Sequence, residues 1–159
     1  MAPPSCEIGS ANGSMSEADR YTLDTSAIIA YFVDEPGAME VERLLAEAAA
    51  RRLEIYASFM TYMEVLYRLT QLLGAAQGKA AYLRLKGLPV RRVDVSESLL
   101  LAAARIKVGY PLSVADAWIA ATAISTGSRL VHKDPEFRPL ATEVEMLELP
   151  FKGRKRPPR

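Results

Sequence analysis

Cysteine, histidine and long apolar runs are nearly missing from this sequence, and each shortage closes a door. The one cysteine, Cys6, cannot form an internal disulfide, which fits a reducing compartment. The one histidine, His132, has no partner with which to build a zinc site, and no Ser-His-Asp arrangement is apparent. No apolar stretch approaches the roughly 20 residues of a membrane span. The longest candidate, Ala27 to Val33, is a third of that length. Net charge is also scarce: a formal +1 gives no global pull toward nucleic acid or membrane. These shortages describe a soluble, cytoplasmic chain that does not enter a membrane.

What is present is ordinary globular composition, 50% apolar and 25% charged over 159 residues, enough for one domain with a real core. Residues 1–20 are rich in Ser, Gly, Pro and Ala, and Met15 offers a second plausible start. They are expected to be a disordered tail or an added leader outside the fold. Residues 21–150 are expected to form the domain. Residues 151–159 are basic and proline-rich, either a solvated end or an arm for nucleic acid.

Within the domain, Tyr21 to Leu23 reads as a strand and Thr25 to Val33 as a short helix stopped by Asp34-Glu35-Pro36-Gly37. A second helix carries Val41, Leu44, Leu45 and Ala48 at spacings of three and four. Leu53 to Ala57 is a strand. Ser58 caps a third helix with an expected apolar face of Phe59, Met63, Leu66, Thr70 and Leu73, closed by Gly74. A helix over Ala76 to Lys86 and a strand over Pro89 to Val95 follow. Ser96 opens a helix to Val108, and Ser113 another ending near Gly127. Arg129 to His132 is a strand, Asp134-Pro135-Glu136-Phe137 a helical turn, and Val144 to Leu149 a last strand. Strands separated by helical crossovers imply an α/β, mostly parallel sheet with helices on both faces.

Four carboxylates fall near strand ends and helix starts: Asp24, Glu64, Asp116 and Asp134. Each has an innocent explanation. Asp24 or Thr25 can cap the first helix, and Ser113 with Asp116 has capping-box spacing. Asp134 before Pro135 is an ordinary N-cap. Glu64 can sit exposed, paired with Arg68 one turn on. Together they ask for more. Carboxylates at the carboxyl edge of an α/β sheet lie where ligands collect, and a cluster would repel itself without a cation. Hard oxygen donors with no thiol and one imidazole suit Mg²⁺ or Mn²⁺.

With these residues in view, the chain resembles the PIN-domain nucleases, in particular the VapC-type toxins of toxin–antitoxin pairs. The matching pieces are Leu23-Asp24-Thr25-Ser26-Ala27, Ser58 to Thr61 leading to Glu64-Val65, Leu112 through Ala123 around Asp116, and Asp134 with Phe137. The resemblance implies a PIN-like three-layer sandwich with an acidic pocket for one or two divalent metals, hydrolysing RNA phosphodiester bonds to leave a 5′-phosphate. Asp24, Glu64, Asp116 and Asp134 would be its catalytic and metal-holding acids, with Ser26 bonding a carboxylate or a coordinated water. One departure is His132, where such proteins often carry Thr.

The resemblance also implies a homodimer and an antitoxin whose segment lies beside the site. Met39, Met60, Tyr62 and Tyr67 look available for such contacts, with core packing as the alternative. RNA would need cations around the acids. Candidates are Arg68, Arg84 and Lys133, then Lys79, Lys86, Arg91, Arg92, Arg129 and Arg138. Three rivals stand beside a ribonuclease toxin. One is a PIN-type RNA-processing nuclease outside a toxin pair. Another is a non-catalytic RNA- or partner-binding module. The third, a phosphatase or dehalogenase with an aspartate nucleophile, ranks well below the nuclease, because the second acid it wants two residues after the first is here Ser26.

Overall fold

The computed structural model describes residues 19–151; most of the stretch expected as a tail or leader, residues 1–18, and the basic residues 152–159 lie outside them. Five strands, β1 (Arg20–Leu23), β2 (Glu54–Ser58), β3 (Arg91–Val93), β4 (Arg129–His132) and β5 (Met146–Glu148), form one sheet. Its order is β3-β2-β1-β4-β5, and every pairing is parallel. Six helices make the crossovers: α1 (Thr25–Phe32), α2 (Ala38–Ala49), α3 (Phe59–Leu73), α4 (Ala75–Gly87), α5 (Glu97–Gly109) and α6 (Val114–Thr126). A 3₁₀ helix, Pro135–Leu140, joins β4 to β5.

The two-residue period of the strands sorts the core into two clusters. Leu23, Ile55, Ala57 and Val131 join Ile28, Val41, Leu44, Val65, Leu69 and Leu85 of α1 to α4. Leu130, the neighbour of Val131, joins Leu99, Ile106, Ile119 and Ala123 of α5 and α6, with Phe137 and Leu140. This is the three-layer α/β arrangement expected from the sequence.

The helix starts follow side-chain caps: Asp24, Ser58, Ser96 and Ser113 each accept a backbone N–H of the first turn. Two expectations need correction. The edge strands are shorter than their apolar runs, and Val95, 59% exposed, lies beyond β3. Each edge strand has one neighbour to pair with, and Pro89 has no N–H to give. The second correction is the face of α3. It buries Thr61, Tyr62, Val65 and Leu69 and leaves Met63 and Leu73 about half exposed. Apolar residues surround this helix, so periodicity alone did not fix its rotation. Tyr62, expected as a surface candidate, packs edge-on to Tyr82 under the Arg92 guanidinium. Met60 is half-buried, while Met39 and Tyr67 remain exposed.

α3 and α4 cross at a glycine. A Cβ on Gly78 would lie 2.8 Å from the Cα and N of Thr70, so only a bare backbone fits there.

Candidate active site

The strand order reverses at β1, whose neighbours β2 and β4 lead the chain away in opposite directions. Such a switch point leaves a crevice at the carboxyl ends of the strands. Asp24 follows β1 directly and Asp134 lies two residues beyond β4.

Asp24 is 4% exposed. Its carboxylate accepts the Ser26 N–H at 2.9 Å and the Ser26 hydroxyl, while its own N–H donates to the Val131 carbonyl at 2.9 Å. Burial raises its pKa to about 6; the Ser26 bonds resist this, and the charges of Asp116 and Glu64 add to it. Ser26 works in both directions, since its oxygen also accepts the Lys133 N–H at 2.9 Å. One hydroxyl thus ties the end of β1 to the end of β4.

Glu64 is half-buried on α3. It accepts the hydroxyl of buried Thr25 at 2.6 Å instead of pairing with Arg68. Asp116, in the first turn of α6, accepts the Ser113 hydroxyl at 2.6 Å, and its N–H returns to that oxygen at 3.0 Å. Burial lifts the pKa of Asp116, Asp134 lifts it further, and the Ser113 bonds and Arg68 hold it down. Asp134 caps the 3₁₀ helix by accepting the Glu136 N–H at 2.9 Å.

The four acids read from the sequence therefore form a chain of electrostatic neighbours, Glu64 and Asp116 acting on Asp24, and Asp134 on Asp116. A fifth, missed from the sequence, joins them. Carboxylate oxygens of Asp116, Asp134 and Glu136 all lie within 4.8 Å of one another. Glu136 gave no separate signal, because an acid in a first helical turn is already explained by the helix dipole. His132 is fully buried against Phe137, ring centroids 5.2 Å apart, and burial pushes its pKa down.

Beside the acids lies a cleft of about 700 Å³, lined by Ser26, Ile29, Glu35, Arg68, Leu69, Gln71, Leu72, Lys133 and Phe151. Arg68 is exposed on its wall. Lys133 is buried to 9% exposure and paired with Glu35 at 2.9 Å. Arg84 lies elsewhere, stacked over Tyr31 and Phe32 at 4.9 and 4.8 Å from the ring centroids.

The family model of the PIN domain matches residues 21–143. The chain belongs to the PIN-domain family. Solved structures with this fold include DNA-bound VapBC from Salmonella typhimurium, at 20% identity and a TM-score of 0.67, covering 81% of this chain and 97% of that one. VapBC2 from Rickettsia felis, bound to a promoter DNA fragment, gives 17% and 0.65, covering 82% and 99%. Mycobacterium tuberculosis VapC20, described as a sarcin-ricin loop cleaving toxin, gives 21% and 0.62, covering 79% and 97%. At these identities the likeness establishes the fold of this PIN domain. No curated protein sequence matches the chain. None of its helices among the described residues is long and apolar enough to cross a membrane.

Proposed function

We propose that this PIN domain is a divalent-metal-dependent endoribonuclease and the toxin of a toxin–antitoxin pair. The observation that supports the reading is that Asp24, at the switch point of a PIN fold and lifted to about 6, feels the charges of Asp116 and Glu64, while Asp116 lies with Asp134 and Glu136 inside 4.8 Å. Carboxylates this crowded gain from a cation, and a donor set of hard oxygens fits Mg²⁺ or Mn²⁺. Asp24 and Asp116 would hold it, with Asp134, Glu64 and Glu136 close enough to share the charge. When bound, a divalent cation there supplies Lewis-acid activation of water and neutralises charge developing on a phosphate.

The chain's own groups do the positioning. Ser26 fixes one oxygen of Asp24, Thr25 one oxygen of Glu64, and Ser113 one oxygen of Asp116, so each acid keeps its second oxygen free of those bonds. Acids held this way accept hydrogen bonds from water and orient it without first reorganising. Arg68, the exposed cation on the cleft wall, is placed to meet a phosphate oxygen.

The partner reading rests on the VapBC complexes among the structures of like fold. An antitoxin segment would occupy the cleft, where Ile29, Leu69, Leu72 and Phe151 offer apolar contact beside the acids, and the toxin would pair with a second copy of itself.

Purified protein should cleave RNA with Mg²⁺ or Mn²⁺ and stop with EDTA. Asp24→Asn and Asp116→Asn should lose at least 100-fold in rate while keeping the parent circular dichroism. Cleavage that survives both substitutions, or folded protein with no Mn²⁺ affinity, would sink the nuclease assignment. Co-purification with the product of an adjacent small gene tests the toxin role separately.

A further inference from the structure

We propose that Lys133 is a positioning residue, a splint whose two ends hold the acid-bearing turn after β4 against α1; this deepens the ribonuclease reading above and rests on it for its catalytic consequence. The backbone end is the N–H that donates to Ser26 Oγ at 2.9 Å. A hydroxyl carries one proton, so Ser26, accepting that N–H, turns its proton onto Asp24. The side-chain end is the ammonium, which donates to Glu35 Oε2 at 2.9 Å. Ser26 lies in the first turn of α1, and Glu35 in the turn that follows the helix. One residue thus grips α1 at both ends.

The anchor at Glu35 is stiff. Asp34, just before it, has a φ of +53°, and the Glu35 N–H donates back to the Ala30 carbonyl at 2.9 Å. Gly37, just after it, has a φ of +99° and sits so close to Leu149 that an added Cβ would lie 2.9 Å from the Leu149 Cβ. A lysine held on such an anchor passes its constraint to the next residue, Asp134, and through the Asp134 cap on the Glu136 N–H to Glu136. These two acids lie with Asp116 in the 4.8 Å cluster. Lys133 therefore sets where Asp134 and Glu136 stand relative to Asp24. It is not a phosphate contact, because its side chain is 9% exposed and would have to leave Glu35 to meet one.

The test uses the full chain and four variants: Lys133→Met, Glu35→Gln, the two combined, and Lys133→Arg. Mn²⁺ binding is measured by calorimetry at a temperature where circular dichroism shows every variant folded. The two single substitutions change local charge in opposite directions. Electrostatics alone would strengthen Mn²⁺ binding in Lys133→Met and weaken it in Glu35→Gln. A splint weakens both, by about ten-fold, with little further loss in the combined variant. Lys133→Arg, which keeps a cation for Glu35, should recover most of the affinity. With RNA at subsaturating Mn²⁺, kcat should fall by a similar factor in both single variants while KM changes less than about two-fold.

Opposite shifts in the two single variants, or unchanged affinity in Lys133→Met, would overturn the splint. So would a raised KM with a salt slope shallower by about 0.7, the mark of a lost phosphate contact. Amide exchange in the metal-free protein gives a readout independent of cation and cleavage. Both single variants should lose protection at Lys133 and Glu136 and keep it at Leu130, whose N–H donates to the Glu145 carbonyl at 2.8 Å. Parent-like protection at all three contradicts the proposal. That local loss in a chain whose parent never cleaves RNA would remove the nuclease reading and leave the splint standing.

Discussion

Asp24 carries a cost in the metal-free protein that its neighbours make legible. Folded, it holds its proton to about pH 6, against 3.8 for an ordinary aspartate. Between those values the folded chain binds more protons than the unfolded one, so stability falls as pH rises through that window. Asp24→Asn removes the charge and keeps an oxygen for the Ser26 N–H. In EDTA at pH 7.5 this variant should therefore be more stable than the parent, by up to about 3 kcal/mol, and indistinguishable from it below about pH 4. Urea melts at the two pH values measure this, and equal midpoints at pH 7.5 would show that Asp24 is not an unpaired buried charge. The same residue explains why the sequence alone left two readings open. Asp24, Asp116 and Asp134 all take part in helix starts, through Ser26, Ser113 and Glu136. Capping and clustering use the same atoms here, so local pattern could not separate them. Only the sheet order brings the acids into range of one another.

Among the elements, those with a strong local signal are where the sequence placed them. Serine caps and Gly74 announced α3, α5 and α6, and β4 matches its run from Arg129 to His132. Elements whose limits depend on distant neighbours were read less well. The edge strands are cut short by having one partner, and α3 is rotated by what packs on it. The crossing of α3 and α4 is such a long-range constraint, invisible in a stretch reading Gln77-Gly78-Lys79. Gly78→Ala would add a methyl group 2.8 Å from the Thr70 backbone, where no flexible side chain can yield. The helix propensity of alanine favours the change by about 1 kcal/mol, while overpacking of this kind costs about 1–3 kcal/mol. We expect the clash to win, with a net loss of up to about 2 kcal/mol and a melting temperature lower by up to roughly 8 °C. A rise in melting temperature would mean that the two helices separate easily.

For the whole molecule, the sheet divides where the chain does. Among the described residues, those up to Val93 build β3-β2-β1, and those from Glu97 onward supply β4-β5. The two blocks meet along β1 and β4, through Tyr21 beside Arg129, Thr22 beside Leu130 and Leu23 beside Val131. Asp24 and Glu64 lie on one side of this seam, Asp116, Asp134 and Glu136 on the other. Severing the backbone between 93 and 97 should yield two pieces that each hold Mn²⁺ at least ten-fold more weakly than the uncut protein, and that regain affinity on mixing. Full affinity in either piece alone would contradict this. With affinity regained only on mixing, the acids would work as a contact closed only by the docking of the two blocks.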